Sequence, residues 1–187
     1  MNLNKFFYLF LAVSVFSIWA CDDDDPIVEP PEELITTATV TLTPQGGGTA
    51  VILNWVDLDG DGGNAPVITG GTLAANTVYD GDIQVLNESE TPSEDITAEI
   101  MDEDEEHQFF FSASGGANIT TAYNDADADN NPIGLAFTLT TGDASTGDFT
   151  VILRHEPDKS AAGVKDGDIT NAGGSTDVEA TYPVDIQ

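Results

Sequence analysis

The chain has 187 residues, with 34 Asp or Glu against four Lys or Arg, two His and one Cys, so its formal charge at pH 7 is −30. Nucleic-acid phosphates would repel this density of negative charge, and no polybasic patch is present for anionic lipid, so neither is an expected partner. One Cys cannot form an internal disulfide, and two His with one Cys cannot build an ordinary Cys/His zinc site. Any bound metal is therefore expected to have oxygen ligands, and the length predicts one globular domain.

The first 20 residues have the composition of a signal peptide. Lys5 is followed by a nearly unbroken apolar run from Phe6 to Trp19, and Ala20 precedes Cys21. A membrane-spanning helix needs about 20 apolar residues, and no later segment approaches that length. We therefore predict a cleaved signal peptide over 1–20 and no transmembrane helix in the mature chain.

The single Cys lies where bacterial lipoproteins are lipidated. The residues before it, from Ser17 to Ala20, resemble a lipobox, whose Cys becomes the lipidated N-terminus after cleavage. Four carboxylates follow it directly, at Asp22, Asp23, Asp24 and Asp25. This run resembles the surface-export signal of Bacteroidota lipoproteins, and it predicts an outer-membrane protein that is lipidated at Cys21 and faces the cell exterior. The alternatives are a periplasmic face, with the four Asp only solvating a tether, and an ordinary secretory signal with an incidental Cys.

Residues 21–33 are predicted to form an acidic, proline-rich tether. Prolines among Asp and Glu favour an extended chain over a helix. Beyond the tether, no Lys or Arg occurs between Lys5 and Arg154. Ion pairs therefore cannot hold most of the domain together, and its carboxylates need salt, divalent ions or dispersal over loops.

Residues 34–187 are predicted to form a single domain of about eight strands. Period-two alternation marks the last strand, where Val178 and every second residue to Ile186 face the core and Asp177 and its alternates face solvent. Because proline cannot donate to a β-ladder, Pro183 predicts an edge strand or at least one unpaired stretch. The other strands are predicted at 38–43, 50–56, 79–86, 108–113, 119–123, 133–140 and 149–154.

Short strands separated by Gly-rich turns are typical of an all-β sandwich, either immunoglobulin-like or a related Greek key. The Cys pair and core Trp spacing of true immunoglobulin domains are missing. One short helix is predicted at about 92–101, because Thr91-Pro92-Ser93-Glu94 has capping-box spacing with Pro at the first helical position. Ile96, Ala98 and Ile100 also alternate, so a strand is the alternative there.

Two Asp-rich loops carry the clearest chemical signal. Carboxylates at alternate positions let a loop wrap its side chains around one hard cation. Gly62 allows the sharp turn in the first loop, and Asn130 takes that place in the second. Neither loop has the bidentate Glu that completes an EF-hand, so the prediction is two incomplete Ca²⁺ sites, with solvated turns as the alternative. The predicted ligands are Asp57, Asp59 and Asp61 in the first loop and Asp125, Asp127 and Asp129 in the second.

Three aromatic side chains are candidates for a ligand platform. Trp55 and Tyr123 end strands next to the two Asp-rich loops. Phe110 falls on the face of its strand opposite Phe109 and Phe111, where we expect it to be exposed. An aromatic surface beside Ca²⁺ would suit a sugar, which makes a glycan-binding module of an outer-membrane uptake system one hypothesis. A core role, above all for Trp55, is the alternative.

The two histidines suggest an enzyme. His107 opens the inward-facing series of one strand and His155 closes that of another, so antiparallel pairing would place both imidazoles at one rim beside Glu105, Glu106 and Glu156. Such a rim offers general acid/base groups or transition-metal ligands, and it predicts a small hydrolase or metal-dependent enzyme. No serine-hydrolase, phosphate-loop or zinc-protease motif accompanies the histidines. The alternative is that these histidines only cap the core.

Three segments resemble a family of small Bacteroidota, chiefly flavobacterial, lipoproteins. They are residues 57–67 (DLDGDGGNAPV), residues 106–110 (EHQFF), and residues 153–157 (LRHEP) followed by 167–174 (GDITNAGG). The resemblance spans 35–187 and implies a surface lipoprotein without implying a particular activity. Some members carry the label of a type 1 periplasmic-binding fold, but this chain lacks the alternating β/α pattern of that fold and is too short for two lobes.

These features predict a lipid-anchored β-sandwich at the cell surface that acts as a binding, adhesion or structural module, without catalysis and stabilised by Ca²⁺. The membrane is contacted through the lipid anchor alone, and the expected ligand is a glycan or a protein. The metal-dependent enzyme and the glycan-binding module are the two alternatives.

Overall fold

The computed structural model describes residues 34–60, 63–89 and 91–187. The predicted signal peptide, Cys21, the four Asp at 22–25 and the rest of the tether lie outside the described residues, and so does Asp61. The described chain contains one α-helix, α1 (Ile96–Asp102), and two single-turn 3₁₀ helices, Val164–Asp166 and Ile169–Asn171. Its ten strands are β1 (Thr37–Pro44), β2 (Val51–Val56), β3 (Val67–Thr69), β4 (Gly71–Leu73), β5 (Val78–Leu86), β6 (His107–Ser114), β7 (Ile119–Tyr123), β8 (Ala136–Thr141), β9 (Ser145–His155) and β10 (Ser175–Ile186).

The strands form two sheets. The larger sheet has the order β3-β2-β1-β5-β8-β7 and the smaller one the order β4-β10-β9-β6. All neighbours are antiparallel except β4 and β10, which are parallel. The predicted all-β sandwich is therefore confirmed.

One hydrophobic core lies between the sheets. Buried side chains of both sheets belong to it, among them Leu53 from the larger sheet and Leu153 from the smaller one. The rings of Phe111 and Phe137 stack across the interface with centroids 4.4 Å apart. Fully burying one Leu or Phe side chain stabilises a fold by about 1.5–3 kcal/mol. The alternating apolar positions of the strands therefore account for the two-layer architecture.

The eight strands expected from alternation are all present, and two were missed. The missed strands β3 and β4 have three residues each, which is too short to show an alternating pattern. The strand predicted from residue 133 begins only at Ala136, because the preceding residues cross from one sheet to the other. The carbonyl of Ile133 accepts from Phe109 N at 2.7 Å, and that of Leu135 accepts from Ile83 N at 2.9 Å.

The predicted helix is confirmed, but its predicted start at residue 92 is wrong. Asn87 and Glu94 exchange backbone hydrogen bonds of 3.1 and 3.0 Å in an isolated antiparallel bridge, so the helix begins only after Glu94. The hydroxyl of Thr97 accepts from Val85 N at 2.9 Å and donates to Val85 O, so α1 is held against β5. No helix among the described residues is long and apolar enough to span a membrane.

Pro183 lies at the end of an unpaired stretch, as predicted. Strand β10 pairs with β9 over nearly its whole length on one side. On the other side it pairs with β4 only from Val184 to Ile186. The missing N–H of Pro183 therefore costs no ladder hydrogen bond on that side.

The connection between β9 and β10 covers the outer face of the smaller sheet. Phe110 packs there with Val164 and Ala172 in a second apolar cluster. The side-chain amide of Gln108 donates to Val164 O at 2.9 Å. The expectation that Phe110 is exposed is therefore wrong, since this side chain retains only 2% of its accessible surface. Alternation identifies the two faces of a strand but cannot show that a loop covers the outer one.

Candidate functional site

His107 and His155 lie face to face at one end of the smaller sheet. Strands β6 and β9 are antiparallel, and their register pairs the two histidines directly. The ring centroids are 4.7 Å apart and the ring planes differ by 30°. The predicted meeting of the two imidazoles at one rim is therefore confirmed.

A β-bulge in β10 adds a carboxylate to this pair. Thr176 pairs with Arg154 and Val178 with Leu153, so Asp177 is an extra residue between two ladder positions. An extra residue of this kind changes the direction in which its side chain points. The side chain of Asp177 is fully buried, and its Oδ1 lies 3.9 Å from Nδ1 of His155. We refer to His107, His155 and Asp177 as the His–Asp trio.

The His–Asp trio has the compactness of a ligand set. One ligand atom from each residue lies within 4.8 Å of the other two. His107 has no exposed surface and His155 keeps 7%. Glu106 and Glu156 form a second group of this kind with His155, and both glutamates are exposed. Glu105, the third predicted neighbour, belongs to neither group.

The turn after α1 fixes the orientation of the His107 ring. Nδ1 of His107 lies 3.1 Å from the carbonyl oxygen of Glu103. Because a carbonyl can only accept, Nδ1 carries the hydrogen and Nε2 is the nitrogen that can carry a lone pair. In metal sites, a hydrogen bond from the ring nitrogen that does not bind the metal usually orients the histidine.

The backbone around the trio is tightly constrained. Glu156 has φ 50°, a left-handed conformation that is uncommon for a residue other than Gly. Its N–H donates to Glu106 O at 2.7 Å, which extends the pairing of β6 and β9 past the histidines. Gly174 has φ 66°, and a Cβ at this position would lie 2.1 Å from the carbonyl oxygen of His155. Only glycine therefore lets the start of β10 approach His155 this closely.

The second Asp-rich loop uses its carboxylates within the protein. The Asp125 carboxylate accepts from Gly134 N at 2.7 Å and from Ala136 N at 2.8 Å. That of Asp127 accepts from the backbone N–H groups of Asp129 and Asn131 at 3.0 and 2.8 Å. These bonds make the loop an internally hydrogen-bonded turn, and Ca²⁺ binding by it stays a prediction.

A buried lysine also binds the second loop. Nζ of Lys159 donates to Oδ2 of Asp127 at 3.1 Å and to the carbonyl of Asp104 at 2.5 Å. Burial by itself raises the pKa of Asp127, but the hydrogen bonds from Asn131 and Lys159 outweigh it and hold the pKa below its ordinary value. Asp127 is thus a buried structural anion, whereas Asp129 is exposed.

The described part of the first Asp-rich loop is also hydrogen-bonded internally. Oδ1 of Asp57 accepts from Gly60 N at 3.1 Å. Oδ2 of Asp59 accepts from the backbone and side-chain nitrogens of Asn64 at 3.0 and 2.7 Å, and these bonds lower the pKa of Asp59. Since Asp61 lies outside the described residues, Ca²⁺ binding by this loop stays a prediction.

The three aromatic candidates do not form a common exposed platform. Phe110 is buried, as described above. The hydroxyl of Tyr123 donates to Phe109 O at 2.8 Å, and burial raises the pKa of Tyr123 to about 12. Trp55 is half-buried and packs against the main core. Tyr123 and Phe110 therefore have structural roles here.

Asp177 is the site residue that the sequence did not reveal. Alternation along the last strand assigned it to the solvent face, and it reaches the histidines only because the ladder is interrupted. The adjacent Gly173-Gly174 pair is typical of a turn and gives no sign of a bulge three residues later. The position of a bulge depends on which strand pairs with β10, and the sequence does not specify that pairing.

Comparisons with family models, with curated proteins and with solved structures found no match for this chain. The resemblance to Bacteroidota lipoproteins therefore stays a prediction from the sequence motifs. The grounds for a function are the geometry of the His–Asp trio and the motifs at the N-terminus.

Proposed function

We propose that the protein is a lipid-anchored module of the outer membrane that faces the cell exterior and acts through binding, without catalysis. The observation that carries this proposal is the burial of the His–Asp trio. Both histidines of the chain lie in it and keep 0 and 7% of their accessible surface, and the side chain of Asp177 keeps none. A general acid or base must come within hydrogen-bond distance of its substrate, and these groups are covered.

The anchor is proposed from the residues before the sandwich. Cys21 follows the apolar run, and the described fold begins at residue 34. An extended chain spans at most about 3.5 Å per residue, so the 13 residues of the tether can reach up to roughly 45 Å. This reach is enough to present the sandwich beyond the lipid headgroups. The formal charge of −30 supports the same arrangement, since the domain would avoid anionic lipid.

Fatty-acid labelling and protease treatment of intact cells test the anchor and the exposed face. We expect the wild-type chain to incorporate labelled palmitate and to be digested by protease added outside. Cys21→Ser should lose the label, because no thiol remains to be acylated. Replacing Asp22, Asp23, Asp24 and Asp25 by Asn should keep the label but protect the chain from the protease.

A matched control removes carboxylates further along the tether. Replacing Glu29, Glu32 and Glu33 by Gln lowers the tether charge but leaves the four Asp intact, so surface exposure should be unchanged. A wild-type chain that is digested only after the outer membrane is permeabilised would refute the exterior location. Co-purification from intact cells then identifies the glycan or protein that the module binds.

A metal-dependent enzyme is the second candidate. The direct pairing of His107 with His155 and the exposed Glu106 and Glu156 beside it favour this function. It requires a substrate to reach His155. Hydrolysis of ester or phosphoester substrates that is lost in His155→Gln but kept in Glu179→Gln, an exposed residue of β10, would establish it in place of the binding module.

A further inference from the structure

We propose that the His–Asp trio binds one divalent transition-metal ion of the Zn²⁺ class, which fastens the ends of three strands together. This proposal does not depend on the location or role proposed above. His107 is the first residue of β6, His155 is the last of β9, and Asp177 lies in the bulge of β10. The three strands are neighbours in the smaller sheet, so one ion would hold all of them at a single point.

The donor atoms favour a transition metal over Ca²⁺. Zn²⁺ accepts imidazole nitrogen and carboxylate oxygen at about 2.0–2.2 Å, whereas Ca²⁺ takes six to eight oxygen ligands. Around a tetrahedral ion these distances separate the donor atoms by about 3.3 Å. Nδ1 of His155 and Oδ1 of Asp177 are 3.9 Å apart. A shift of less than about 1 Å would therefore bring this pair to the tetrahedral separation.

The surroundings of His107 match those of a metal ligand. Because its Nδ1 lies at hydrogen-bond distance from Glu103 O, His107 would coordinate the ion through Nε2. The carbonyl belongs to the turn that ends α1, and the N–H of Glu103 is itself bound to Glu99 O. The ring is thus held by the helix end before any ion arrives, which reduces the entropy lost on binding.

Charge favours a cation at this point. The Asp177 side chain has no exposed surface, and a divalent ion beside it would place positive charge next to a buried carboxylate. The negative field of the whole chain also raises the local concentration of cations. The fourth position of the ion falls to water or to Glu106 or Glu156, which group with His155.

Cobalt titration of the full chain, purified in detergent and stripped with a chelator, tests the proposal. Co²⁺ substitutes for Zn²⁺ and gives a visible absorption band whose intensity reports its coordination. We expect one Co²⁺ per chain, displacement of the band by one equivalent of Zn²⁺, and a higher Tm with Zn²⁺ than with chelator. X-ray absorption at the zinc edge should show two imidazole ligands in the wild-type protein, a measurement that needs no variant.

Asp177→Asn is the informative variant because it keeps the shape of the side chain and removes its charge. Even outer-shell partners of a metal change its affinity by about 10–100-fold, so the loss of a direct ligand should weaken Co²⁺ binding by more than about 100-fold. Glu179→Gln removes an exposed carboxylate of the same strand and should bind as the wild type does.

Three results would overturn the proposal. The first is a wild-type chain that shows neither the cobalt band nor a change in Tm with Zn²⁺. The second is a folded Asp177→Asn variant with wild-type affinity. The third is an X-ray absorption spectrum at the zinc edge that shows oxygen ligands alone, which would place the ion in an Asp-rich loop. If Asp177→Asn does not fold, the count of imidazole ligands in the wild-type protein decides the question.

Discussion

Lys159 keeps 5% of its accessible surface and lies between the carboxylate of Asp127 and the carbonyl of Asp104. It is one of only three cations after Lys5. A lysine in so acidic a chain would be expected at the surface, where carboxylates are plentiful. Its burial instead joins two acidic segments of the chain, which would otherwise repel each other.

Removing one partner of this buried pair should be strongly destabilising. We expect Lys159→Met to lower the free energy of unfolding at pH 7 by about 3–5 kcal/mol, because the Asp127 carboxylate would lose its buried counter-ion. Urea denaturation measures the change. Asp129→Asn alters an exposed residue of the same loop and should change stability by less than about 0.5 kcal/mol. An equally small effect of Lys159→Met would contradict the structural role of the pair.

The same pair predicts a pH dependence of stability. The pKa of Asp127 in the folded protein lies below its ordinary value of 3.8, so on acidification the unfolded chain takes up the proton first. The contribution of this carboxylate is therefore complete above that value and is lost as the pH falls through the folded pKa. The difference in unfolding free energy between wild type and Asp127→Asn should be constant above about pH 5 and shrink below about pH 4. A difference that grows on acidification would have the wrong sign.

Among the elements, β10 shows how far alternation can be followed. Val178, Ala180, Tyr182, Val184 and Ile186 are all buried, as their period-two pattern predicted. The pattern fails at the bulge, because an inserted residue reverses the face of the residues on one side of it. The strand itself was thus predictable and the carboxylate that it brings to the histidines was not. The helix is a similar case. Local signals predicted that it exists, whereas the residue at which it starts depends on the pairing of Asn87 with Glu94.

The turn that leads into β10 gives a test with a matched control. Gly173 and Gly174 both have positive φ, 63° and 66°, so alanine at either is strained by about 1–2 kcal/mol. A Cβ at Gly173 meets nothing within 4 Å, whereas one at Gly174 would meet the His155 carbonyl oxygen. We expect Gly174→Ala to lower Tm clearly more than Gly173→Ala, and only Gly174→Ala to weaken Co²⁺ binding. Equal effects of the two substitutions would contradict the close approach at His155.

On the scale of the whole molecule, repulsion among carboxylates opposes folding. The chain carries 34 acidic residues and four Lys or Arg, and the fold places many of the acids on exposed strand and loop positions. Folding brings these charges closer together than they are in the unfolded chain. The core must therefore supply stability against a repulsion that depends on the ionic strength.

Salt should stabilise the protein. Raising NaCl from about 0.01 to 1 M shortens the Debye length from about 30 to 3 Å, which screens the exposed carboxylates from one another. With EDTA present to remove divalent ions, we expect Tm to rise, by about 2–4 °C for each kcal/mol of relieved repulsion. KCl should act as NaCl does, because screening does not depend on the identity of the monovalent cation. A Tm that is unchanged or falls with salt would show that repulsion is not significant.

The sequence by itself determined the all-β class, the positions of eight strands and the existence of the helix. These features depend on neighbours along the chain, where alternation and turn residues act locally. Only the tertiary structure decided that Phe110 is covered, that Lys159 is paired with Asp127, and that Asp177 joins His107 and His155. Each of these depends on residues far apart in sequence, and their proximity follows from strand order, register and a bulge. The proposed metal site is the clearest case, because its third ligand faces the histidines only where the β-ladder is interrupted.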